Sequence, residues 1–195
     1  AIDLQDHYEL FLFLADFHAL NEHYHPEENR LNSYRMLASF LACGLDPSKS
    51  LLYAQSGVPE VNELAWILSC QVPFGVMSRA HSFKDAQAKG LDINMGVFNY
   101  PILMAADILL FDANLVPVGQ DQKQHLEMTR DMAQRFNHRF GETLVIPEPM
   151  ISDTVAVVPG TDGEKMSKSK NNTVSLFADD KEWKKQVLSI VTDAK

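Results

Sequence analysis

The chain reads as an open α/β fold of parallel strands joined by crossover helices, and three observations predict it. Leu10-Phe11-Leu12-Phe13-Leu14 is a continuous apolar run ending before Asp16, which fits a strand buried on both faces of a parallel sheet. A helical pattern follows it at once. The same order, apolar run and then helical stripe, recurs at Leu51 and again at Leu115, and alternation of this kind is the signature of crossover units.

Taken in order, the first helix opens at Pro26, a good first helical residue, with Glu27 and Glu28 in its first turn. Leu31, Tyr34, Leu37, Ala38 and Leu41 recur at helical spacing until Gly44 stops the pattern. Leu51-Leu52-Tyr53-Ala54-Gln55 is the second strand. Val58 to Cys70 is the second helix, with Val61, Leu64, Ala65 and Leu68 on one stripe. Gln71 to Phe98 is less regular, and a third helix is expected from Pro101 to Asp112. Leu115-Val116-Pro117-Val118 is a short strand, and Gln122 to Phe140 is a long helix ended by Gly141. No internal repeat or low-complexity segment interrupts this order.

With 46% hydrophobic content, 195 residues fill one good-sized core and the start of a second domain. No apolar run approaches the roughly 18 to 20 residues that span a bilayer, and the N-terminal residues lack a basic stretch before an apolar one. The two cysteines, Cys43 and Cys70, have apolar neighbours and no metal-like spacing, so they read as reduced core thiols of a cytosolic protein. A net charge of -9 argues against a protein that coats nucleic acid by bulk electrostatics. A local basic loop can still handle phosphates.

Parallel crossover folds bind ligands beyond the carboxyl ends of their strands. That rule selects Asp16 and His18 after the first strand, Gln55 and Ser56 after the second, and Gly119, Asp121 and Gln122 after the third. These residues are expected to converge. The Gly119-Gln120-Asp121-Gln122 turn fits either a ligand approaching the backbone closely or an ordinary turn with Asp121 as helix cap. On the third helix, Tyr100, Met104, Asp107, Ile108 and Phe111 share a face at 100° per residue, so one carboxylate interrupts an apolar stripe. Burying it unpaired costs several kcal/mol. Asp107 therefore either accepts from a protein donor or is reserved for a ligand donor, and a pocket with Tyr100 and Met104 around one carboxylate suits a flat aromatic group carrying an N–H or O–H.

Gly163 to Asn172 places Lys165, Lys168 and Lys170 among Ser167 and Ser169, with Gly160 and Gly163 free to bend the backbone. The lysines offer point charges and the serines donors, the combination that stabilises a transferring phosphoryl group. Composition alone leaves a solvated basic turn equally open.

Lys165-Met166-Ser167-Lys168-Ser169 resembles the signature loop of class I aminoacyl-tRNA synthetases, which grips the phosphates of ATP. Asn99-Tyr100-Pro101-Ile102-Leu103-Met104-Ala105-Ala106-Asp107-Ile108-Leu109-Leu110, followed by Val116-Pro117-Val118-Gly119-Gln120-Asp121-Gln122-Lys123-Gln124-His125, narrows the resemblance to the bacterial tryptophanyl-tRNA synthetase family. It runs from Asp16-Phe17-His18-Ala19 through Val191-Thr192-Asp193. It implies a Rossmann-type parallel sheet with crossover helices over 1–158, the signature loop over 159–173, and the beginning of an α-helical domain over 174–195. The implied enzyme is a cytoplasmic homodimer that joins L-tryptophan to its tRNA through a tryptophanyl-adenylate. ATP is its co-substrate, Mg2+ is bound through the ATP phosphates, and the protein itself ligates no metal.

Residue by residue, the resemblance makes Asp107 the acceptor for the indole N–H, with Met104, Val116 and Val118 as apolar walls. Tyr100 and Gln122 lie near the amino group and His18 at the pocket edge. Gly119, Asp121 and Gln122 line the ribose side of ATP. Lys165, Met166, Ser167 and Lys168 close over adenine and phosphates, with Lys165, Ser167 and Lys168 acting on the reacting phosphates. The family's other ATP signature, a His-x-Gly-His or Gly-Asn type turn after its first strand, does not occur in this sequence. Aligned by its motifs, the chain is expected to be a fragment without that strand and turn and without most of the helical domain. Ser82-Phe83-Lys84-Asp85-Ala86 offers only Lys84 where the family often has a second lysine, so phosphate roles for Lys84 and Arg79 stay open. Asp153 to Val158 is more apolar than in many relatives. Two alternatives stand: a tyrosyl-tRNA synthetase, with the same fold and loop, and a non-catalytic tryptophan- or nucleotide-binding fragment or paralogue.

Overall fold

The computed structural model describes residues 2–21, 25–119, 122–151, 158–167, 170–175 and 177–192. The chain forms two compact units, Ala1–Ile151 and Ser152–Lys195. The first begins with a 3-10 turn, Ile2–Asp6, followed by β1 (Leu10–Leu14), a single-turn α1 (Asp16–Ala19), α2 (Pro26–Ala42) and β2 (Ser50–Ala54). β1 and β2 pair in parallel, from Leu10 opposite Ser50 to Leu14 opposite Ala54, so α2 is the crossover the strand spacing predicts. Then come α3 (Glu60–Ser69), α4 (Phe74–Met77), α5 (His81–Ala88), α6 (Met95–Leu109), β3 (Leu115–Pro117), α7 (Lys123–Phe140) and β4 (Glu148–Met150). β3 and β4 form a second parallel pair, with Val116 opposite Pro149.

The core lies among helices. Val61 and Leu68 of α3, Ile102, Ala105, Ala106 and Leu109 of α6, and Met128, Met132 and Ala133 of α7 form one buried cluster with Met77 and Ala80. Ala105, Ala106 and Ala133 in that list let the helix backbones approach closely. Leu109, 1% exposed, is a position where truncation to alanine costs about 2–5 kcal/mol.

Several expectations need correction. β1 is not buried on both faces: Leu10 is buried, Phe11 is 36% exposed, and the other three are half-buried. Among the described residues its sheet has two strands. The apolar stripe of α2 is likewise not a core face, since Tyr34 is 58% and Leu31 48% exposed and the helix buries no residue. Cys43 and Cys70 are free but exposed rather than in the core. Each is the C-cap of its helix, where the chain leaves the packed face.

The stretch from Gln71 to Phe98 is more regular than expected, holding α4, α5 and the start of α6. That helix starts six residues before Pro101. Asn94 caps it, its side chain accepting from the Val97 N–H at 3.0 Å, and Pro101 sits inside the helix. It ends at Leu109 rather than Asp112, whose φ of 51° turns the chain away. Gly141, at φ 92°, ends α7 as expected.

The second unit contains an antiparallel bridge between Pro159 and Lys165 and α8 (Asp180–Leu188). Asp179 caps α8, accepting from the Glu182 N–H at 2.8 Å, with Asp180 and Glu182 in the first turn and Lys185 in the last, as the helix dipole favours. No helix among the described residues is long and apolar enough to cross a membrane.

Candidate functional site

Asp107 projects from α6 with its side chain 2% exposed. Its carboxylate is held by protein donors: Gln55 Nε2 lies 2.8 Å from one oxygen and 2.9 Å from the other, and His18 Nε2 lies 3.1 Å from Oδ2. Gln55, fully buried, is fixed in turn by the Phe17 N–H, which donates to its Oε1 at 3.1 Å. Of the two readings of Asp107 the structure fills the first, through a side-chain amide and an imidazole rather than an arginine or a backbone amide. A carboxylate has about four acceptor positions, and these contacts use three of them. His18 Nδ1 is buried without a hydrogen-bond partner among the described residues.

Of the polar residues that follow the strands, Asp16 meets Ser56, and His18 and Gln122 line one cavity. Asp16 accepts from the Ser56 N–H at 2.9 Å and the Ser56 hydroxyl at 2.5 Å, which ties the carboxyl ends of β1 and β2 together. His18 lies against Tyr100, ring centroids 4.5 Å apart, and Tyr100 against His125 at 5.6 Å. His125 bridges Gln122 Oε1, 3.1 Å from Nδ1, and Ser82 Oγ, 3.3 Å from Nε2. His18, Tyr100, Gln122 and His125 line one cavity of about 810 Å³. Asp107 and Val116 line another of about 470 Å³, with Phe11, Tyr53, Phe111 and Met150. The residues expected around one substrate thus line two adjoining spaces, and the Asp107–His18 contact joins them.

Met104 and Val118 are half-buried and line neither space; the Val118 N–H donates to Met150 O at 3.1 Å. Gly119 is exposed and its carbonyl accepts from the Gln122 N–H at 3.0 Å. Asp121 lies outside the described residues, as do Lys168, Ser169 and 152–157. Arg79 and Lys84 are exposed and line neither cavity. Burial, followed by the negative charge of Asp107, pushes the Tyr53 phenol up to about 12.

In the second unit the loop has a defined backbone. Gly163 adopts φ 81° and its N–H donates to Gly160 O at 3.0 Å, while the Met166 N–H donates to Val158 O at 2.8 Å. Lys165 is exposed, and Met166 and Ser167 are half-buried. Lys170 pairs with Glu164 at 2.5 Å, so its charge is engaged within the loop. Two residues were not anticipated in their roles. Gln55 stood out only as a polar residue after a strand, and Asn172 closed the lysine-rich window with no role of its own.

A parallel crossover unit with polar side chains gathered beyond its strand ends is a nucleotide-binding type of α/β fold. The family model described as tRNA synthetases class I (W and Y) matches residues 1–195, and the chain belongs to that family. It is 55% identical over 194 residues to a tryptophan--tRNA ligase of Fusobacterium nucleatum, covering 99% of this chain and 60% of that protein. A tryptophan--tRNA ligase of Rhodopirellula baltica is 52% identical, with 100% and 61% covered. The crystal structure of tryptophanyl-tRNA synthetase from Campylobacter jejuni complexed with ADP and tryptophan superposes with a TM-score of 0.95 at 50% identity, over 100% of this chain and 61% of that one. The chain therefore spans about three fifths of the length of these relatives.

Proposed function

We propose that the protein activates L-tryptophan with ATP, forming tryptophanyl-adenylate and pyrophosphate, and transfers the tryptophan to its cognate tRNA. The observation that carries this reading is the likeness, over the whole chain, to a synthetase structure containing ADP and tryptophan. Asp107 is assigned the indole N–H through its remaining acceptor position, with Val116, Val118 and Met104 as apolar walls and Tyr100, Gln122 and His18 toward the amino group. Gly119, Asp121 and Gln122 are assigned to ATP. Lys165, Ser167 and Lys168, with Met166, are assigned to the adenine and phosphates, and Mg2+ enters on the ATP phosphates as part of the co-substrate. The tryptophan carboxylate attacks the α-phosphorus in line and pyrophosphate leaves, so positioning and charge neutralisation supply the catalysis and no side-chain nucleophile is needed. The working protein is proposed to be a cytoplasmic homodimer.

The test is pyrophosphate–ATP exchange by this chain with tryptophan, with tyrosine and with no amino acid. Exchange that requires tryptophan supports the reading. Exchange with tyrosine supports the sister specificity, whose structural relative from Archaeoglobus fulgidus, 24% identical with a TM-score of 0.75, shares the fold. Tryptophan binding without exchange marks a binding piece. In an active chain, Lys165→Ala or Lys168→Ala should lower the activation rate more than tryptophan affinity, since the loop is assigned to the leaving group.

A further inference from the structure

We propose that Asn172 is the residue that sets the conformation of the lysine-rich loop, and through it a positioning residue for the phosphate chemistry; the second half of this statement rests on the function proposed above. Asn172 is 2% exposed although it lies in a loop. Its Nδ2 donates to Asp162 Oδ1 at 2.8 Å and to Lys165 O at 3.1 Å, and its Oδ1 accepts from the Ser167 N–H at 2.7 Å. Its main-chain carbonyl accepts from the Thr161 N–H at 2.9 Å. One residue therefore holds both arms of the loop, and it brackets Met166 by gripping the backbone of Lys165 on one side and Ser167 on the other.

Two neighbours are shaped around this clasp. Asn171 adopts φ 52°, a left-handed conformation that asparagine tolerates better than most residues, and this turn precedes the side chain's return into the loop. Gly160 is required by contact rather than by dihedral angle. A Cβ there would collide with the Asn172 amide and stand 2.7 Å from its carbonyl oxygen. The Asn172 hydrogen bond is also the leading cause holding the exposed Asp162 carboxyl below its usual range. Fixing the backbone at Lys165 and Ser167 leaves these two residues only their side-chain rotamers to order when a polyphosphate is gripped, which lowers the entropy cost of positioning.

Both roles need an acceptor and a donor on one side chain at this reach. Aspartate at 172 keeps an acceptor for the Ser167 N–H but loses both donors and faces the Asp162 carboxylate. Alanine loses all three side-chain bonds. Exchanging the partners, Asp162→Asn with Asn172→Asp, returns a donor–acceptor pair between the two positions.

The experiment compares wild type, N172A, N172D, G160A and the exchanged double variant in two measurements. The first is the rate of tryptic cleavage after Lys165, followed by mass spectrometry, which needs no activity. The proposal expects cleavage about tenfold faster or more in N172A, N172D and G160A, with partial protection regained in the double variant, and with thermal unfolding of the rest of the chain little changed. The second is pyrophosphate exchange, in which kcat should fall on the order of 100-fold while KM for tryptophan stays within about twofold, again partly rescued in the double variant. Cleavage rates equal to wild type overturn the clasp. Faster cleavage with unchanged kcat overturns the positioning role. Wild type without tryptophan-dependent exchange overturns the proposed function instead, and the cleavage rates still decide whether Asn172 sets the loop.

Discussion

Gln55 Nε2 faces both carboxylate oxygens of Asp107, at 2.8 and 2.9 Å, from 52 residues earlier in the chain. Gln55 lies just beyond the carboxyl end of β2 and Asp107 in the last turn of the core helix α6, so this contact fastens the β1–β2 unit to α6 through two buried side chains. Gln55 is a neutral donor, so it satisfies the carboxylate without bringing a second charge into the core.

Gln55→Leu removes the donor while keeping the volume, and leaves a buried carboxylate with only His18. Stability should fall by about 1–3 kcal/mol, read as a lower urea midpoint with an unchanged slope. The double variant with Asp107→Leu should cost less than the two single changes added together, because the unpaired charge is gone. Strict additivity would show that the pair does not interact.

Asp107→Asn replaces one acceptor oxygen by a donor. Tryptophan affinity should drop about 10- to 100-fold, the worth of one hydrogen bond to a charged group, with ATP affinity changed less than twofold. Titration calorimetry with each ligand separates the two. Equal tryptophan affinity in variant and wild type removes Asp107 from recognition.

Tyr53, raised from 10 to about 12 chiefly by burial, holds its proton more tightly folded than unfolded. The stabilisation this provides is full below pH 10 and is lost as pH rises toward 12. Of the five tyrosines, one should ionise late in a titration of phenolate absorbance at 295 nm, and Tyr53→Phe should abolish that late step. Asp107→Asn should move it only part of the way down, since the carboxylate is the second cause and burial the first. A late step that survives Tyr53→Phe belongs to another tyrosine and sinks the assignment.

Cys43 and Cys70, exposed at helix C-caps, should both react with a thiol reagent in the native chain, giving two equivalents at a rate near that of a free thiol. Reaction that waits for denaturant would restore the buried placement that composition suggested.

What could be read from the residues followed from pattern length and from chemistry within one element. Leu10–Leu14 and Lys123–Phe140 carry long uniform patterns, and the structure places them within a residue of expectation. Glu148-Pro149-Met150 carries no β-branched residue and contains a proline, so β4 leaves no strand signal; its identity comes from pairing with β3. Pro101 drew the start of α6 toward itself because proline favours a first turn, while the true cap, Asn94, is a common residue with no apolar run behind it. The need of Asp107 for a partner was legible from its helix face, yet the partner was not, because a contact 52 residues distant leaves no local trace. The exposure of Tyr34 and Leu31 was hidden for the opposite reason: periodicity reports that a face is apolar, not that anything covers it.

Among the described residues the parallel strands are present as two pairs, β1 with β2 and β3 with β4, and residues of β1 and β3 both line the 470 Å³ cavity. Each strand of a two-membered sheet has one ladder edge unspent, and unspent edges are templates for extended chain. Protein concentration then enters the behaviour of the isolated chain: yields on refolding should fall as it is raised, and charged or proline-bearing substitutions on those edges, at positions other than Val116, should restore them.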